Sequence, residues 1–153
     1  MSSTARPITV RLLTPADRAA WEPLWLGYCR FYRTEVPAAV TNETWRRFHD
    51  PAVPLHSVGA FNDAGELVGF ANYLFHLSTW SLTSYCYLED LFTAETARGT
   101  GVGRALIAAV HDAALAGGAT KLYWLTHETN RTAQVLYDRV AERTGFIHFS
   151  QKL

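Results

Sequence analysis

The sequence is short of cysteine, has no charge surplus of either sign and contains no long apolar run. Each shortage removes a class of protein. Two cysteines in 153 residues, Cys29 and Cys86, cannot build the disulfide framework of a small secreted domain, so two buried free thiols are expected. Fourteen Lys and Arg balance fourteen Asp and Glu, which leaves none of the basic excess of a dedicated nucleic-acid binder. No apolar run approaches the ~20 residues that span a bilayer, and the N-terminus lacks a signal-peptide apolar stretch. A cytoplasmic protein without nucleic-acid or membrane partners is the expectation. The two cysteines and six histidines make no metal-site spacing, so no metal is expected. Repeats, charge blocks and linkers are also missing. Residues 1–153 therefore read as one domain, with 48% apolar residues to form its core.

What is present centres on residues 87–104. Tyr87-Leu88-Glu89-Asp90-Leu91-Phe92-Thr93 is apolar, aromatic or β-branched except for one carboxylate pair, which suits a mostly buried strand. After a polar break comes Arg98-Gly99-Thr100-Gly101-Val102-Gly103-Arg104. Apolar residues at 102, 106, 110 and 113 then mark one face of a helix through Ala116. Strand, glycine-rich turn and helix N-terminus together form a phosphate site, because free N–H groups and the positive end of the helix dipole meet there. A nucleotide P-loop is excluded, since no Lys-Ser/Thr pair follows the glycines. In a dinucleotide fingerprint the third glycine would come one residue later.

Around this stretch the chain alternates strands and helices. Ile8, Val10 and Leu12 alternate with polar residues in a first strand. Trp21, Leu24, Trp25, Tyr28, Phe31 and Tyr32 follow at helical spacing, with a kink or a fresh start expected at Pro23. Thr41-Asn42-Glu43-Thr44 signals the cap of a second helix through Trp45 and Phe48. Residues 57–61 and 66–76 read as a hairpin about the turn Asn62-Asp63-Ala64-Gly65. A polar loop over 78–84 enters the central strand. Gly117-Gly118 stops the helix, and 121–126 is a further strand. A last helix carries Val135, Leu136, Tyr137 and Val140, and Phe146–Phe149 closes the chain as a strand. This order predicts a mixed α/β layer fold.

Arg98-Gly99-Thr100-Gly101-Val102-Gly103 resembles the Arg/Gln-x-x-Gly-x-Gly/Ala acetyl-CoA signature of the GNAT N-acetyltransferase superfamily. Asn130-Arg131-Thr132-Ala133-Gln134-Val135-Leu136-Tyr137 resembles its Asn…Ala…Tyr helix. With residues 87–92 the likeness extends to diamine acetyltransferases and, more closely, to the fungal histone and D-amino-acid acetyltransferase branch. The resemblance implies a mostly antiparallel twisted sheet, helices on both faces and a splayed central strand pair. It implies acetyl-CoA held by Leu91, Phe92, Thr93, Arg98, Gly99, Thr100, Gly101, Val102, Gly103, Arg104, Asn130, Ala133 and Tyr137. It also implies a homodimer. One departure is the ending: the usual Tyr-x-x-x-Gly-Phe becomes Tyr137 followed by eight residues up to Gly145-Phe146, so a longer last helix is expected.

Acetyl transfer to an amine needs a proton acceptor, an oxyanion contact and a donor to the departing thiolate. The resemblance implies Tyr137 as the donor, a backbone N–H near Leu91 as the oxyanion contact, and Glu89 as the base. Tyr28, Phe31 and Tyr32, with Glu89, Asp90 and Glu35 as countercharges, suit a cationic amine. Adjacent strand residues point to opposite faces, so Glu89 and Asp90 can share the acceptor only if the strand is distorted. The acceptor implied is a small primary amine, a polyamine or amino acid. A protein lysine and a non-catalytic acyl-CoA-binding module are the alternatives.

Overall fold

The computed structural model describes residues 6–153. Five strands form one sheet in the order β1 (Thr9–Leu12), β2 (Leu55–Phe61), β3 (Leu67–His76), β4 (Ser84–Thr93), β5 (Ala119–Trp124). The first four are antiparallel neighbours, while β4 and β5 run parallel. That parallel pair requires a crossover, which α3 (Val102–Ala116) supplies. Helices α1 (Arg18–Phe31), α2 (Ala38–Phe48) and α4 (Arg131–Val140) complete the described elements.

Strand alternation divides the core in two. On one face Val58, Ala60, Tyr73, Cys86 and Leu88 pack with Val102, Leu106, Ile107 and Val110 of α3. On the other, Phe61 and Phe70 meet Trp21, Trp25 and Cys29 of α1 and Trp45 of α2. Trp21 is fully buried against Trp25, Trp45, Phe48 and Phe70. Its truncation to alanine removes about 3–5 kcal/mol of packing. Cys29 and Cys86 are free and buried in the two separate cores, so the sheet stands between the thiols.

Three expectations are corrected. α2 begins at Ala38 after Pro37 rather than at the 41–44 signal. Thr41 is buried in the helix, where its hydroxyl accepts a hydrogen bond from Trp25 Nε1 at 3.1 Å. α1 starts at Arg18 and carries Pro23 as its sixth residue, a position that removes the N–H otherwise directed at Ala19. The chain end departs most. α4 stops at Val140, and residues 141–153 form no strand. Phe146, Ile147 and Phe149 are exposed, so neither the longer helix nor the final strand forms.

The end of α1 matters for the site. Arg33 N–H donates to Arg30 O and Thr34 N–H to Cys29 O, a Schellman closure with Arg33 in the left-handed position at φ 52. An L-residue there bears a strain that glycine escapes. Arg33→Gly is therefore expected to raise the unfolding free energy by about 1 kcal/mol in urea melts. Unchanged or lower stability would show that the Arg33 side chain compensates for its backbone.

Candidate active site

The site is built on a fault in β4. Asn72 of β3 pairs with Asp90 and Tyr73 with Leu88, leaving Glu89 opposite no partner. This is a β-bulge, which bends its strand and resets which residues face which side. Before it, Cys86 and Leu88 face α3; after it, Leu91 joins the same core and Phe92 packs under α1. β5 follows β4 only as far as Leu88, opposite Trp124. Residues 90–93 of β4 pair with β3 alone, which leaves their other edge open beside the end of β5. The splayed pair is thus a consequence of one extra residue.

The bulge also resolves the problem of two adjacent carboxylates. Cys86, Leu88 and Leu91 face α3, so alternation on either side of the bulge turns both Glu89 and Asp90 to the α1 side. Glu89 is the more exposed; partial burial, then Asp90, pushes its carboxyl up. Asp90 is set deeper. Burial raises its pKa, against hydrogen bonds from Tyr28 and Asn72 that lower it. Asn72 Nδ2 donates to Asp90 Oδ2 at 3.0 Å. Among the described residues no Lys or Arg forms an ion pair with either carboxylate. Two neighbouring acids, Asp90 half-buried and Glu89 exposed, without a cation are an electrostatic vacancy for one.

Aromatic rings wall this pair. Tyr28 lies 5.0 Å from Tyr32 and 6.1 Å from Phe92, centroid to centroid. Tyr32 reaches further: its phenol is raised by burial and then Asp90, is hydrogen-bonded by Asn130, and in turn raises Tyr137. Tyr32 therefore joins the acidic side of the splay to α4. Tyr137 is half-buried, 5.5 Å from the Trp124 ring, and burial pushes its phenol up to about 12. It stays protonated at neutral pH. Ala133 lies on α4 one turn earlier and is also half-buried.

Asn130 stands at the N-cap of α4 without capping it. Its amide instead donates to Thr126 Oγ1 at 3.4 Å. Phe31 is displaced from the acidic pair toward the glycine turn, under the guanidinium of Arg98 at 5.7 Å. Glu35 lies exposed beyond α1, and the structure does not bring it to the pair.

The glycine turn completes the arrangement. Gly99 and Gly101 have φ of 75 and 90, and Gly101 is the N-cap of α3. A Cβ at either position would meet nothing within 4 Å, so conformation and not packing demands glycine there. The first N–H groups of α3 have no intrahelical acceptor and point along the dipole. Arg98 is held over Phe31 and Phe92 and donates from Nε to Thr93 O, whereas Arg104 is exposed. A groove of about 480 Å³, lined by Gly27, Arg30, Phe31, Phe92, Glu95 and Arg98, opens beside the turn. The residues present fit a phosphorylated donor with an extended arm: an N–H cradle at α3 leads to an unpaired strand edge at 89–93.

Residues 18–141 match the acetyltransferase (GNAT) family. The chain belongs to that family. It is 41% identical over 145 residues to the D-amino-acid N-acetyltransferase HPA3 of Saccharomyces cerevisiae, covering 94% of this chain and 90% of that protein. It is 35% identical over 71 residues to the thialysine N-epsilon-acetyltransferase of Bos taurus, covering 46% of this chain and 41% of that protein. Among solved structures, AAC(6')-Iy with a CoA bisubstrate analog superposes with a TM-score of 0.82 at 20% identity, covering 96% and 99% of the two chains. This GNAT protein is an N-acetyltransferase that uses acetyl-CoA.

Sequence reading missed Asn72, although one amide within Gly69-Phe70-Ala71-Asn72-Tyr73 is a visible irregularity in an apolar strand. It also missed the contact of Tyr137 with Trp124, which depends on how β5 ends.

Acetyl-CoA binds only the folded enzyme and should raise its melting temperature. Gly101→Glu places a carboxylate at the helix N-terminus and should abolish that rise, the unliganded melt showing that the fold survives. A mutant that responds like the parent would move the phosphate site elsewhere.

Proposed function

We propose that this GNAT enzyme acetylates the primary amine of a small cationic acceptor, an amino acid or polyamine, with the site residues acting as follows. The supporting observation is the Glu89–Asp90 pair, which has no Lys or Arg ion-pair partner among the described residues and is walled by Tyr28 and Tyr32. Two relatives act on D-amino acids and on thialysine by name, which favours the same class of acceptor.

The pyrophosphate of the donor lies on residues 98–104, and its arm pairs with the open edge of Leu91, Phe92 and Thr93. Asn130 and Ala133 face that arm from α4. An ammonium between Tyr28, Tyr32 and Asp90 gains roughly 1–2 kcal/mol for each desolvated cation–π contact. Glu89 takes its proton, directly or through water; the raised pKa of this carboxyl brings acid and amine closer to a match. The amine nitrogen then attacks the thioester carbonyl, whose oxygen gathers charge against a backbone N–H near Leu91. As the carbon–sulfur bond breaks, Tyr137 gives its phenolic proton to the thiolate.

Tyr137→Phe should keep the fold and the acetyl-CoA thermal shift and lose roughly 100-fold or more in kcat. Full activity would reduce Tyr137 to a packing residue. Glu89 serves as a base only when ionised, so wild-type kcat/KM should rise as pH passes its elevated pKa. In Glu89→Gln the loss should be greatest near neutral pH and shrink toward pH 10, where free amine becomes abundant. An equal loss at every pH removes Glu89 from that role. The acceptor class is decided by kcat/KM for D- and L-lysine, spermidine and a histone-tail peptide under one set of conditions. A wide preference for the peptide would overturn the small-amine reading.

A further inference from the structure

Three polar residues lie in one row across the sheet beneath α1 and α2. Ser57 of β2 pairs directly with Asn72 of β3, and Asn72 pairs with Asp90 of β4. Ser57 and Asn72 are among the few buried polar residues, 3% and 1% exposed. Asn72 Nδ2 is committed to Asp90 at 3.0 Å. Its Oδ1 is buried with no partner, and so is Ser57 Oγ. Directly opposed side chains on one face of antiparallel strands have Cβ atoms about 4.5–5.5 Å apart. A serine hydroxyl can rotate to donate across that gap, directly or through one water. Two unpaired buried oxygens side by side would otherwise cost free energy for no return.

We propose that Asn72, oriented by Ser57, is a positioning residue for acetyl transfer: its amide holds Asp90 ionised and aimed at the acceptor's ammonium. The proposal rests on the acceptor site described above. The amide can keep its NH₂ toward Asp90 only if its oxygen faces a donor, and Ser57 is that donor. Around Asp90 stand Tyr28 and Cys29 from α1, Tyr32 at its C-cap, Tyr87 and Glu89 from β4, and the neutral Asn72 from β3. None is a cation. Glu89 opposes ionisation of Asp90, as burial does, so the N–H of Asn72 and the O–H of Tyr28 are what favour the charged form. Without the amide, one of the two groups that offset burial at Asp90 is lost and its carboxyl is pushed further up, toward the neutral form that offers an ammonium less.

The test uses the full-length enzyme labelled with ¹³C at aspartate carboxyls, Asp90 being assigned by the resonance lost in Asp90→Asn. In Asn72→Leu, which keeps the volume and deletes the donor, the Asp90 titration should move up by about one pH unit or more. Ser57→Ala should move it the same way by less, and provides the same reading if Asn72→Leu fails to fold. The acid limb of kcat/KM for the preferred amine should follow the titration. At the pH of the parent's half-maximal activity the Asn72→Leu loss should be about tenfold, shrinking as pH rises. The acetyl-CoA thermal shift should not change. A titration that stays fixed in both variants overturns the proposal. So does a titration that moves while the acid limb does not, because the charge of Asp90 would then not serve the acceptor. A parent that acetylates none of the amines fails the acceptor reading, while the titration still decides whether the row controls Asp90.

Discussion

The site depends on one unpaired residue in β4. Had Glu89 kept a partner on β3, strict alternation would have sent Glu89 and Asp90 to opposite faces. β4 would then have continued alongside β5 in an unbroken parallel ladder. The bulge between Leu88 and Asp90 changes both outcomes. It brings two carboxylates to one side of the sheet and leaves the outer edge of residues 90–93 without a β5 partner. The acidic pair and the open strand edge thus share a single cause and lie at the same strand position.

Holding two acids together without a cation has an energetic cost, and the surrounding structure is arranged to bear it. The α1 core supplies Trp21, Trp25 and Phe70, a rigid aromatic bed that fixes Tyr28 over Asp90. The Schellman closure at Arg33 ends α1 one residue after Tyr32, so this ring projects toward Asn130 and Tyr137 rather than continuing a helical face. Burial raises the pKa of both carboxyls and of the Tyr137 phenol, which stays protonated at neutral pH.

Much of this was legible in the sequence. Period and punctuation located every strand up to β5, and Gly117-Gly118 stopped α3 as read. The glycine turn and the Asn130–Tyr137 helix were recognisable because positive-φ backbone and a family motif leave residue-specific marks. Asn72 left only a faint one, since an amide in a strand acquires meaning from its cross-strand neighbours, and register is not written locally. The bulge is similar: the need for a distorted strand could be argued from Glu89-Asp90, but its position came from pairing with Tyr73 and Asn72. Thr41 misled because a good capping residue also makes a good buried acceptor, and Trp25 claimed it.

The chain end shows the opposite failure, in which local pattern was clear and tertiary support was missing. Phe146-Ile147-His148-Phe149 has the composition of a strand, yet a strand forms only where a neighbouring edge accepts it. The seven residues between Tyr137 and Gly145 outlast α4, which ends at Val140 with Ala141 already extended at φ −152. The chain therefore leaves the helix early and crosses polar residues such as Glu142, Arg143 and Thr144, with Arg143 tied back to Asp138 by two hydrogen bonds. The apolar residues that follow stay in solvent. Composition specifies what a segment can do once placed, whereas the helix end specifies where it is placed. In this enzyme the second constraint decides the C-terminus, as the bulge decides the active site.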